Sequence, residues 1–145
     1  MKMAFRMAAI AAITMMVGAL SSVAQSNDSA YVIVANKEMP GGAINAADLR
    51  EVYQREATNW KHSKAEIVPV DLYTAKDFYQ NLFGQSYLQM QVQWMKMRRD
   101  YSMNMPIFKK DAESVKKFVA ANKGAIGFIK ISEVDDTVKV IKLIN

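Results

Sequence analysis

The stretch DAESVKKFVAANKGAIGFI, from Asp111 to Ile129, carries the clearest architectural signal in the chain. Asp111 is a favoured helix N-cap residue. Val115, Phe118 and Val119 follow at the spacing of one helical face, which predicts a helix with those residues inward and Gly124 just past its end. Ala125 to Ile129 is then a short, unbroken apolar run, the pattern of a buried strand. A helix leading directly into a buried strand is the repeating element of an α/β sheet.

Working outward, Thr137 to Ile144 alternates apolar and polar residues, with Val138, Val140 and Leu143 separated by Lys139 and Lys142, as in a half-exposed strand. Upstream, Ser86 and Gln89 form a capping box that opens a helix running to about Asp100. Thr74 and Asp77 have the same spacing ahead of a helix through Phe83, which Gly84 stops. Glu66 to Val70 reads as a strand, and Pro69 favours a place near a sheet edge. Asn45 caps a helix whose apolar face is Leu49, Val52 and Tyr53; Pro40-Gly41-Gly42 is a turn before it, and Tyr31 to Ala35 is another apolar strand. Strands alternating with helices predict an α/β sheet with mostly right-handed crossovers.

The N-terminus has a different character. Lys2 and Arg6 precede an uncharged apolar run from Met7 to Leu20, and Ser22-Val23-Ala24 supplies small residues for cleavage after Ala24. These are the three parts of a secretory signal peptide. The apolar run would span about 21 Å as a helix, short of the roughly 30 Å hydrocarbon core. The expected organisation is a signal peptide at 1–24, a flexible leader at 25–30 and one α/β domain at 31–145. Cleavage removes Lys2 and Arg6, taking the charge from +5 to +3, and leaves no stable membrane span. With no cysteine, the signal is not a lipoprotein one, and disulfide, thiol and Cys-based zinc chemistry are excluded. Export argues against a nucleic-acid partner, so Lys109-Lys110 and Lys116-Lys117 read as solvated faces.

The order of motifs resembles the phosphate-type periplasmic substrate-binding proteins. Val32-Ile33-Val34-Ala35-Asn36 is similar to their first strand. Asn45 to Tyr53 and Trp60 are similar to their "L-S-x-x-[DE]-L-x-x-[IV]-F" segment with a Trp shortly after. Ile67-Val68-Pro69-Val70 with Asp77-Phe78-Tyr79 looks like "I-x-P-V … [RK]-x-x-F", and Trp94 sits where short members carry a Trp. Ser114 to Ala121 with Gly124-Ala125-Ile126-Gly127-Phe128 resembles "V-x-x-V-x-x-x-x-G-A-I-G-Y". The match is to short, stand-alone members. It implies a single lobe of the type II periplasmic-binding-protein fold, with a mostly parallel central sheet flanked by helices.

The resemblance further implies a periplasmic, non-catalytic protein that binds inorganic phosphate or another oxyanion, without cofactor or metal. Asn36, Thr74, Ala75 and Lys76 are the ligand-binding candidates it points to; the last three lie in the loop between this second strand and the next helix, from which several of the family's anion-binding groups come. Helix N-termini suit anions there, through free N–H groups and a partial positive charge. The equivalent loop, Asp71 to Asp77, lacks the family's Gly and Ser-rich element, is shorter, and carries two acidic residues. Lys76 stands where an Arg is usual, and Lys cannot form the bidentate fork.

A single lobe offers half a cleft, so an interaction role is the alternative: docking to an envelope protein, or a homodimer. The helix from Ser86 to Asp100 bears two apolar stripes, one of Tyr87, Met90, Trp94 and Met97 and one of Leu88, Val92 and Met95. Met90, Trp94 and Met97 are the candidate partner surface. Five of the 11 methionines lie between residues 90 and 105, which raises a less favoured copper(I) reading through Met95, Met97, Met103 and Met105. Residues i and i+2 on a helix point about 200° apart, so Met95 and Met97 could not chelate one ion. Enzyme readings lack support: His62 is the one histidine, no G-x-S-x-G elbow or nucleotide glycine loop occurs, and the carboxylates are scattered.

Overall fold

The computed structural model describes residues 30–61 and 64–145; the expected signal peptide, all but Ala30 of the leader, and His62 lie outside the described residues. The elements are β1 (Tyr31–Ala35), β2 (Ala43–Asn45), α1 (Ala46–Tyr53), β3 (Val68–Leu72), α2 (Asp77–Phe83), α3 (Tyr87–Tyr101), β4 (Ile107–Lys109), α4 (Ala112–Ala121), β5 (Ala125–Lys130) and β6 (Lys139–Ile144). They build a mixed α/β domain around one six-stranded sheet in the order β2-β6-β1-β5-β3-β4. The β2–β6, β3–β4 and β3–β5 pairings are parallel, while β1 runs antiparallel to both β5 and β6. No helix among the described residues is long and apolar enough to cross a membrane.

Helix α4 covers one face of the sheet and the aromatic cluster around α1 and α2 covers the other. Alternation along β5 decides this. Gly127 faces α4, where an added Cβ would sit 2.9 Å from Val115 Cγ1, so the helix packs close to the strand only because no side chain intervenes. The next residue, Phe128, points the other way and stacks on Phe78 with ring centroids 3.7 Å apart. Tyr53, Tyr79 and Tyr31 pack around this pair with their rings steeply inclined to it.

Several local expectations need correction. Helix α4 is capped by Asp111 as expected, but it ends at Ala121 with an extended Asn122, so Gly124 is not its stop. Gly124 instead lies against the chain entering β3, where a Cβ would come within 1.8 Å of the Glu66 carbonyl oxygen. Strand β3 starts two residues later than expected because Glu66 bridges to Asn59. It also lies inside the edge strand β4. Pro69 is tolerated because Val68 N–H reaches Gly124 of the β5 side, and pairing with β4 begins only at Val70. In β6 the inward residue is Ile141, and Val140 is exposed. Lys116 is not solvated: it is buried, with Nζ 2.7 Å from Asp135 and 2.6 Å from Glu113. The two short strands β2 and β4 have no apolar pattern of their own and were not expected.

Candidate functional site

The loop that the family resemblance points to follows the C-terminal end of β3, between Leu72 and α2. Its conformation is fixed from inside. Tyr73 N–H bonds the Lys109 carbonyl, Ala75 N–H bonds Leu72, and Phe78 N–H bonds Ala75. Thr74 is not the cap of α2. The cap position is Lys76, in helical conformation with no side-chain capping bond, and the Thr74 hydroxyl donates a long, 3.5 Å bond to the Lys110 carbonyl. Thr74 and Lys76 are exposed, Ala75 is buried, and the Lys76 ammonium lies over the Tyr87 ring at 5.9 Å.

Asn36 sits elsewhere, at the end of β1 beside the C-terminus of α4. Its amide nitrogen donates to the Val119 and Ala120 carbonyls at 2.9 and 3.0 Å, and its oxygen accepts from Glu38 N–H. Asn36 therefore serves as a buried tie between β1 and α4. Thr74, Ala75 and Lys76 are brought together by the loop; Asn36 is not brought to them.

Directly beneath the loop lies a cluster that the sequence reading did not assemble. Asp71, in β3, is fully buried on the aromatic face of the sheet. Tyr79 of α2 donates to Oδ1 at 2.5 Å, and Tyr87 of α3 donates to Oδ2 at 2.6 Å. Burial raises the Asp71 pKa, and the two phenolic bonds oppose that rise by favouring the carboxylate. Both phenols are pushed above their ordinary value, by burial first and then by the neighbouring carboxylate. Tyr53 completes the layer, donating to the Val70 carbonyl at 2.9 Å. The sequence signal was present in Asp71 lying two residues beyond Pro69, within a strand whose odd residues face the aromatics.

Helix α3 sorts its two apolar stripes decisively. Met90 and Trp94 are fully buried, and Trp94 Nε1 donates to the Tyr53 carbonyl at 2.6 Å. Met97 is half-buried. The stripe expected to meet a partner is therefore core, with Trp94 packed on Tyr79 and Phe108 and beside Tyr87 of its own stripe. The second stripe faces outward: Leu88, Val92 and Met95 are 68%, 59% and 64% exposed. Met97 and Met103 line a common cavity with Arg55 and Lys96, while Met105 lines the adjoining one.

The sheet order, the loop after β3 and the flanking helices define one mixed α/β lobe. No family model and no curated protein matches the chain. Solved structures do. The chain is similar to an ABC-type phosphate transport receptor from Vibrio cholerae (21% identity, TM-score 0.55, covering 78% of this chain and 45% of that one). It is similar to a protein from Clostridium perfringens assigned as a phosphate ABC transporter substrate-binding protein, solved with bound phosphate (24%, 0.61, 78% and 44%). PstS from Borrelia burgdorferi gives 18% identity and a TM-score of 0.57, covering 79% and 47%. The chain thus shares the fold of phosphate-type substrate-binding proteins and spans less than half the length of these three.

Proposed function

We propose that this chain is a non-catalytic, periplasmic binding-protein lobe for a phosphate-class oxyanion, exported by a cleavable signal peptide. The observation that carries the reading is the fold likeness to phosphate-binding receptors, one of them solved with phosphate. The anion would meet the rim of the β3–α2 loop, at the Thr74 hydroxyl and the Lys76 ammonium, which are exposed. Asp71 beneath is fully buried, and both its oxygens are engaged by phenolic hydrogen bonds rather than presented at the rim. This lobe lines one side of a cleft, so the anion would keep water on its other side unless a second half closes over it.

Ligand-dependent melting tests the reading. Phosphate, but not chloride at equal ionic strength, raises the melting temperature of the intact protein as mass action requires. Thr74→Ala combined with Lys76→Ala removes the rise. No phosphate shift at any concentration up to tens of millimolar, or a shift unchanged in the double variant, refutes the site.

A second reading rests on a separate observation, the outward stripe of Leu88, Val92 and Met95. Three large apolar side chains on one exposed helical face suit a protein partner, an envelope protein or a second copy of the chain. Loss of self-association or of co-purification in Val92→Glu, with folding intact, supports it. Unchanged behaviour in that variant removes it.

A further inference from the structure

The opposite end of β3 holds a feature that the loop reading does not use. Arg55 follows α1 with φ of +65°, a left-handed conformation that favours glycine, and is only 3% exposed. Its Nε donates to the Asn104 carbonyl at 2.7 Å, while its Nη1 is buried without any hydrogen-bond partner. It makes no ion pair among the described residues. A buried guanidinium ordinarily engages a carboxylate or phosphate through its planar fork.

Arg55 also lines an open cavity of about 360 Å³. Arg98, in the last turn of α3, stands on the same wall, and Asn104 contributes as well. The remaining lining includes Ile67 and Ile107, at the entries to β3 and β4, so the cavity lies at the N-terminal ends of these parallel strands. Glu66 is the carboxylate on the wall, and its charge offsets one of the two cations. A second cavity also touches Arg55, lined by Lys96 and by the opposing charge of Glu56.

We infer that this cavity is a binding site for a small organic monocarboxylate with an apolar body, separate from the phosphate-class site at the β3–α2 loop. The carboxylate would bind the guanidinium of Arg98 on the wall and, with the Arg55 side chain turned outward, the unpartnered Nη1 that is otherwise closed off from water, and its hydrocarbon part would cover Met105 and Ile107. Two arginines supply planar, bidentate recognition of a carboxylate. The apolar lining discriminates against an inorganic oxyanion, whose whole surface needs polar partners.

Calorimetric titration of the intact protein with acetate, butyrate and hexanoate tests the site, with inorganic phosphate as the contrasting probe. Affinity rises from acetate to hexanoate. Arg55→Met weakens hexanoate binding at least tenfold, Arg55→Lys weakens it less, and Lys76→Ala leaves it unchanged. A second readout needs no variant: in the wild-type protein labelled with ¹⁵N, the Arg55 Nε–H resonance shifts saturably with hexanoate and not with phosphate. Hexanoate binding that is absent, indifferent to chain length or equally strong in Arg55→Met overturns the site. So does binding abolished by Lys76→Ala, which would move it to the loop. Failure of phosphate to bind the loop refutes only the loop reading and leaves these carboxylate outcomes intact.

Discussion

At the C-terminal end of β3 the buried carboxylate of Asp71 receives hydrogen bonds from Tyr79 and Tyr87, whereas at the N-terminal end the buried guanidinium of Arg55 keeps one nitrogen unpartnered. Both groups are almost wholly removed from water. The difference lies in what surrounds them. Asp71 faces an aromatic layer in which both its oxygens are hydrogen-bonded, so its bonds hold the lobe together. Arg55 faces open cavities, so its missing partner can be a ligand. A buried polar group that is satisfied contributes to stability, and one left unsatisfied costs about 1–3 kcal/mol.

The strongest way to break this contrast is to remove the support of the C-terminal end. Trp94 packs on both Tyr79 and Tyr87 and bonds the Tyr53 carbonyl. Trp94→Ala is expected to cost about 3–5 kcal/mol, read by urea unfolding. A loss below about 1 kcal/mol would mean the aromatic layer is not the rigid platform described.

Tyr79→Phe is expected to cost about 1–3 kcal/mol at neutral pH, because Asp71 loses a donor while remaining buried. The pH dependence has a definite sign. The folded pKa of Asp71 is raised above its unfolded value, so the folded state holds the proton more tightly. Its contribution to stability is present below the ordinary carboxylate value and declines as pH rises through the folded value. Asp71→Asn should therefore remove a downward slope in unfolding free energy that begins near pH 4. A wild-type and variant difference that is flat across that window contradicts the raised pKa.

The N-terminal end should respond more mildly. Arg55→Met removes a bond to Asn104 but also an unpartnered buried charge, and the two effects oppose each other. A change within about 1 kcal/mol in either direction is expected from the same unfolding assay. A loss of several kcal/mol would show that Arg55 is a structural tie like Asp71. The smallest effect belongs to the outer stripe of α3: Leu88→Ser should alter stability by no more than about 0.5 kcal/mol, since the side chain is 68% exposed.

How much was legible in the sequence follows from where each signal is stored. The helices were readable because their caps and periodic faces are local: Asn45, Ser86 with Gln89, and Asp111 all cap as expected. Gly84 ends α2 in the left-handed conformation, also as expected. Strands β2 and β4, three residues each, exist only through their neighbours β6 and β3, so no local pattern announces them. Periodicity found both stripes of α3 but could not say which one meets the sheet. Thr74 and Asp77 have a capping spacing, yet the helix begins without a side-chain cap because the preceding loop is pinned to Lys109 and Leu72. Arg55 looks like a solvated residue after a helix; its burial comes from Asn104, far along the chain, and no spacing rule reaches that distance.

Phosphate binding at the loop after β3 can be read residue by residue. A ¹⁵N–¹H correlation spectrum of the intact protein, titrated with inorganic phosphate at constant ionic strength, reads each backbone amide separately. Saturable shifts confined to Thr74, Ala75, Lys76 and their immediate neighbours are expected, and they are lost in the Thr74→Ala, Lys76→Ala double variant. Phosphate shifts absent from these residues, or equally present in the double variant, would contradict binding at this loop.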